Sequence, residues 1–138
     1  MRNKKLNIPN PKDLTKIEKI DENPDFRNRY EGFKKLNDIS LLSNIKKVSC
    51  FSSCFALCEN LENITPLANI DVSNCADFSY MFLNCKSLKD ISCLSNWKIS
   101  PKARFKFMFK NTNIKDFSPL KNWFCDKTVD EIKKIVCE

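Results

Sequence analysis

The stretch IDVSNCADFSYMFLNCKSLKDISCLSNWKIS, residues 70–100, decides the fold. Within it Phe78, Met81, Phe82 and Cys85 stand at i, i+3, i+4 and i+7, the spacing of one apolar stripe on a short helix. Leu88 and Ile91 follow three apart, and then come Cys93, Leu94 and Asn96. Both blocks return along the chain. Upstream, Phe51, Cys54, Phe55 and Cys58 precede LENITPLANI from Leu61, and Phe26, Arg29, Tyr30 and Phe33 precede LNDISLLSNI from Leu36. Downstream, Phe105, Met108, Phe109 and Thr112 precede IKDFSPLKNW from Ile114. The leading aromatics lie 25, 27 and 27 residues apart. Self-similarity at such a period marks a stacked solenoid, in which each unit buries its apolar edge only against its neighbours.

Hydrophobic residues three and then two apart, followed by asparagine, match the strand and turn of a leucine-rich repeat. Each unit therefore reads as a helix followed by a short strand, with Pro66 and Pro119 at the strand's end, where a missing N–H keeps it short. One more interval of 27 from Phe105 lands on Ile132, with Ile135 and Val136 at i+3 and i+4. Thr128 and Glu131 have capping-box spacing just ahead of it. The expected fold is an α/β solenoid, a right-handed, leucine-rich-repeat-like stack of about four helix-plus-short-strand units. A parallel sheet covers one face, and a terminal capping helix from about Val129 closes the stack. Residues 26–138 form the repeat domain. Residues 1–25 lack the repeat and read as an amino-terminal cap or leader, with Leu14, Ile17 and Ile20 three apart over the first unit.

Composition removes several function classes. The chain has 138 residues, a net charge of +7, 42% hydrophobic and 30% charged residues, and no apolar run near the ~20 residues that span a bilayer. The start, MRNKKLNIPNPKDL, lacks the apolar stretch and cleavage site of a secretory signal, which predicts a cytoplasmic location for the chain as written. No histidine is present, which excludes Cys-His and Ser-His nucleophile pairs and mixed Cys/His zinc sites. The single glycine, Gly32, cannot build a phosphate-cradling loop. These absences predict no catalytic residues, no cofactor, no metal and no enzymatic activity.

Residues 70–100 also resemble the BspA-like leucine-rich repeat family, whose unit runs roughly W-D-V-S-N-V-T-N-M-S-x-M-F-x-x-C-x-S-L-x-x-L-S-x-L-x-N-W. Met81, Phe82, Cys85 and Leu88 stand at identical residues, while Ile70 replaces the tryptophan, Cys75 the second valine and Phe78 the first methionine. The resemblance holds in register over residues 26–138. Arg29 and Thr112 depart from the methionine and the cysteine, and Lys102 from the valine. It implies a non-catalytic, adhesion-type protein-interaction module, a host or cell-surface protein as partner, and a surface or secreted location.

The eight cysteines divide by repeat position. Cys58 and Cys85 share one slot, Cys54 shares another with Met81 and Met108, Cys75 one with Val48, and Cys93 one with Leu41, so these five read as compact core fillers. Cys50, Cys54 and Cys58 lack a fourth metal ligand, and Cys50, Cys125 and Cys137 are the candidates for disulfides. Asn44, Asn69, Asn96 and Asn122 recur after the expected strand and read as structural, satisfying backbone groups in the turn. Trp97 and Trp123, aligned with Ile45 and Ile70, read as packing between coils.

The outward columns of the expected sheet are Asn37, Glu62, Lys89 and Lys115, then Asp38, Asn63, Asp90 and Asp116, then Ser40, Thr65, Ser92 and Ser118. Residues 48–79 carry a net charge of −4 and residues 98–121 one of +6. The expected binding surface is the sheet face with its basic later flank, represented by Lys89, Asp90, Ser92, Lys115, Asp116 and Ser118, on a monomer that binds a protein partner. The alternative is nucleic acid or another polyanion, since Arg104 to Lys110 interleave basic and aromatic residues and leave Phe107 free to stack.

Overall fold

The computed structural model describes residues 10–138. Among them there is no β-strand, and the one α-helix is α1, Val129–Cys137. The expected helix-plus-strand solenoid with a parallel sheet is therefore wrong. Five 3₁₀ helices, Pro11–Asp13, Ser40–Asn44, Thr65–Leu67, Ser92–Leu94 and Ser118–Asn122, and four isolated parallel bridges make up the remaining regular structure. The terminal helix does form where the interval placed it. Thr128 Oγ1 accepts from the Glu131 N–H at 3.1 Å, and Glu131 accepts from the Thr128 N–H at 3.0 Å.

The aromatic segments with helical spacing are ribbons of turns. Two residues in each have positive φ, the second and the sixth after the leading aromatic: Asn28 and Gly32, Ser53 and Leu57, Tyr80 and Asn84, Phe107 and Asn111. A left-handed residue every fourth position cannot belong to an α-helix of L-residues. The N–H groups alternate in destination. Arg29, Glu31 and Phe33 donate three residues back to Phe26, Asn28 and Tyr30, closing turns. Phe26, Asn28, Tyr30 and Gly32 donate forward to the carbonyls of Cys50, Ser52, Cys54 and Ala56 in the next repeat, at 2.8–2.9 Å. The same forward row joins Phe51, Ser53, Phe55 and Leu57 to Asp77, Ser79, Met81 and Leu83, and Phe78, Tyr80, Phe82 and Asn84 to Arg104, Lys106, Met108 and Lys110. Seven or eight residues are too few for a helix to stand on local bonds alone, so bonds to a neighbouring repeat win.

The segments expected as strands are turns for a local reason. Asp38, Asn63, Asp90 and Asp116 each accept, through the side chain, the N–H two residues on, at 2.8–3.0 Å, and so start the 3₁₀ helices. Such side-chain bonds compete directly with a strand ladder. Pro66 and Pro119 fall in the first turns of two of these helices, where a missing N–H costs nothing.

Packing follows the repeat. Leu42, Leu67, Leu94 and Leu120 are fully buried, as are Leu36, Leu61 and Leu88. Tyr30, Phe55, Phe82 and Phe109 stack face to face at centroid separations of 5.5–5.7 Å. Trp97 and Trp123 stack at 5.9 Å, and their indole N–H groups donate one repeat back to the carbonyls of Leu67 and Leu94. Cys58 and Cys85 are buried in the same way, with their thiols donating to the carbonyls of Tyr30 and Phe55 at 3.1 and 3.0 Å. Ile17 joins this core, and its N–H donates to Asp38.

Candidate functional site

Lys89, Asp90, Ser92, Lys115, Asp116 and Ser118 are all exposed, in the two segments that lead into Ser92–Leu94 and Ser118–Asn122. These adjacent 3₁₀ helices pack on each other, so the six residues share one side of the molecule. Asp90 and Ser92 border a shallow depression of about 240 Å³ with Glu62, Asn63 and Thr65. The aspartates are committed locally. The backbone N–H of Ser92, followed by its hydroxyl, holds the Asp90 carboxyl below the usual aspartate range, and the Ser118 hydroxyl and N–H do the same for Asp116. Lys89, Lys115 and Glu62 on that side are in no ion pair among the described residues.

The asparagine column expected to be structural is so at one position. Asn122 Nδ2 donates to the Ser95 carbonyl at 3.2 Å, whereas Asn44, Asn69 and Asn96 are without a side-chain hydrogen bond among the described residues. Cys50 is buried, although it aligns with the exposed Arg104 and half-exposed Asp77. Burial pushes the Cys58 thiol up to about 12 and Cys75 to about 11, and raises Cys54 and Cys85 as well, which suits packing and disfavours the thiolate. Cys125 is exposed.

A second surface lies on the turn ribbons. At the first left-handed position the repeats carry Asn28, Ser53, Tyr80 and Phe107. Asparagine tolerates this conformation, but a bulky aromatic there costs about 1–2 kcal/mol. Phe107 is half exposed with φ +53°, its ring edge-on to Tyr80 at 5.8 Å. The Lys110 ammonium lies 4.4 Å from the Phe107 ring centroid and that of Lys106 5.4 Å, within cation–π range. Asn111 donates to the Asn84 side chain at 2.8 Å, and Arg104 pairs with Asp77 of the preceding repeat at 3.3 Å. The alternation of basic and aromatic residues from Arg104 to Lys110 signals this cluster in the sequence. The left-handed backbone that turns Phe107 outward carries no such signal.

No curated protein matches the chain. Among solved structures, an internalin C2 from Listeria monocytogenes is similar at 20% identity and a TM-score of 0.27, over 67% of this chain. The chain spans 59% of the length of that structure. Residues 15–136, most of the four repeats and α1, match a family described as "Mycoplasma protein of unknown function, DUF285", and the chain belongs to that family.

Proposed function

We propose that the protein is a non-catalytic protein-interaction module whose partner is another polypeptide. One observation carries this reading: the repeats close their cores with the same residue columns while projecting different outward sets. Leu42, Leu67, Leu94 and Leu120 do not vary, whereas Asn28, Ser53, Tyr80 and Phe107 change from small and polar to large and aromatic. A stacked scaffold with a constant interior and a varied surface suits recognition. The BspA-like resemblance of residues 26–138 supports the finer reading, an adhesion-type module that meets a host or cell-surface protein as a monomer. Buried thiols held protonated suit a chain without nucleophilic chemistry.

Affinity capture from the native cells and from their surroundings, quantified against two surface variants, tests the reading. One variant carries Lys89→Ala and Lys115→Ala, and the other Lys106→Ala and Lys110→Ala. A polypeptide retained by the native protein and lost from one variant supports the interaction module and names its face. Retention of nothing that responds to either variant, or a turnover abolished by changing one polar side chain, overturns it.

A further inference from the structure

In each of the first three repeats the forward-pointing N–H groups meet carbonyls of the following repeat. In the fourth, the equivalent donors belong to Phe105, Phe107, Phe109 and Asn111. Helix α1 follows there, but a helix uses its own carbonyls internally except in its last turn. Accordingly one carbonyl of that turn, Val136, takes the Phe109 N–H at 2.9 Å. Among the described residues, the N–H groups of Phe105, Phe107 and Asn111 have no acceptor, and the carbonyl of Ala103 has no donor. Arg104 and Lys106 are exposed, and Ala103 and Phe107 partly so.

The preceding repeat shows what such an edge binds. There Ala76 accepts from the Arg104 N–H at 3.0 Å, Phe78 donates to the Arg104 carbonyl at 2.8 Å, and Tyr80 donates to the Lys106 carbonyl at 2.8 Å. This is a short parallel bridge, and its side chains match in charge, since Asp77 pairs with Arg104. One repeat further on, Ala103, Phe105 and Phe107 present the same acceptor and two donors, now with Arg104 and Lys106 beside the places of the incoming side chains.

We propose that residues 103–107 dock an extended segment of a partner protein in parallel orientation, with an acidic residue, any residue and a second acidic residue in sequence. The first acidic residue donates its N–H to Ala103 and accepts from Phe105, with its carboxylate at Arg104. The second accepts from Phe107, with its carboxylate at Lys106. The segment stops there because Val136 already holds the next donor. Main-chain bonds supply affinity and alternate side chains supply specificity, as in strand addition to an exposed edge. This rests on the interaction-module reading and names its partner chemistry.

The test uses the whole chain and a fluorescent peptide of alternating aspartate and valine. The controls are the lysine-for-aspartate peptide, a peptide N-methylated at its first aspartate, and a ten-residue oligothymidylate. The alternating acidic peptide binds in fluorescence anisotropy, the lysine peptide does not, and N-methylation or Lys106→Gln weakens binding by about tenfold, the loss of one hydrogen bond or charge contact. By NMR, the Phe107 amide exchanges faster than that of Tyr80 in the free protein and slows when the peptide is added. Phe107→Asn places at this position the residue that the first repeat carries and retains the backbone N–H that the segment meets, so it keeps the fold and leaves peptide binding unchanged.

Equal protection of Phe107 and Tyr80 in the free protein overturns the inference, as does acidic-peptide binding indifferent to N-methylation. Oligothymidylate binding that falls steeply with salt, without amide protection, also overturns it and assigns a polyanion surface instead. A captured partner lost only with the Lys89 and Lys115 variant leaves the interaction module standing and removes this edge.

Discussion

The first and fourth repeats close opposite ends of the same stack and do so by opposite chemistry. At the first end the ribbon's edge is the carbonyls of Asp25, Arg27, Arg29 and Glu31, and the Arg29 side chain takes the first of them. It stands where Cys54, Met81 and Met108 are buried in the other repeats. Its guanidinium lies 3.8 Å over the Phe26 ring and donates to the carbonyls of Asp21, Asn23 and Asp25 at 2.7–3.1 Å. One long side chain reaches three carbonyls because it brings up to five donors. Of these only Asp25 belongs to the ribbon's edge, and the carbonyls of Arg27, Arg29 and Glu31 have no donor among the described residues. At the fourth end the ribbon exposes donors, and no single side chain supplies a row of acceptors. Helix α1 buries the apolar face with Ile132 and Val136 but offers the edge one carbonyl. At the acceptor end arginine closes only the start of the edge. Both ends stay partly open, with carbonyls at the first and N–H groups at the fourth.

The paired middle and the two ends should respond differently to truncation. Phe82 has aromatic partners on both sides, Phe55 at 5.6 Å and Phe109 at 5.5 Å, and is fully buried. Phe82→Ala should cost about 3–5 kcal/mol in urea unfolding. Tyr30→Ala, at the first end with one such neighbour in the column, should cost less; equal losses would break the distinction between middle and end. Arg29→Met restores the residue type of the third and fourth repeats and removes the donors. A loss of about 1–2 kcal/mol is expected, from hydrogen bonds to a charged group that is partly exposed. Unchanged or raised stability would show that the first end needs no donor cap. At the other end, Thr128→Ala removes one half of the capping box and should cost about 1 kcal/mol, measurable by thermal melting.

The smallest effect is a pH dependence spread along the repeats. Asp38, Asp71, Asp90 and Asp116 have carboxyls held below their ordinary value, in each case by the serine two residues on. A lowered folded pKa means that the stabilisation is complete above the unfolded value, about pH 4, and is lost as pH falls below it through the folded value. Stability should therefore decline with acid below about pH 4. Asn63 makes the same bond without a charge, so Asp90→Asn should keep the turn and reduce that decline. An unaltered acid profile in this variant would remove Asp90 from the account.

The terminal helix was legible because its signals are local: Thr128 and Glu131 three apart, then Ile132, Ile135 and Val136 on one face. The ribbons were not. Phe78, Met81, Phe82 and Cys85 have helical spacing because all four face the core, and a ribbon of turns puts the same positions inward. The strand reading failed at Asp90 and Asp116, whose side chains start turns. Asp90, Ser92, Asp116 and Ser118 are exposed as expected, yet that turn chemistry engages the two aspartates, and the Phe107 cluster was visible only as an alternation of base and aromatic.

By itself the amino-acid sequence determined the period, the residues that point inward, the basic later repeats and the capped helix at the end. These follow from side-chain chemistry at fixed intervals. Only the tertiary structure decided which carbonyl each N–H meets, because the alternatives, three or four residues back in a helix or about 26 residues ahead in the next repeat, bury the same side chains. That choice replaced helices and strands with ribbons of turns, turned Phe107 outward, and left the donors of Phe105, Phe107 and Asn111 unpaired at the fourth end.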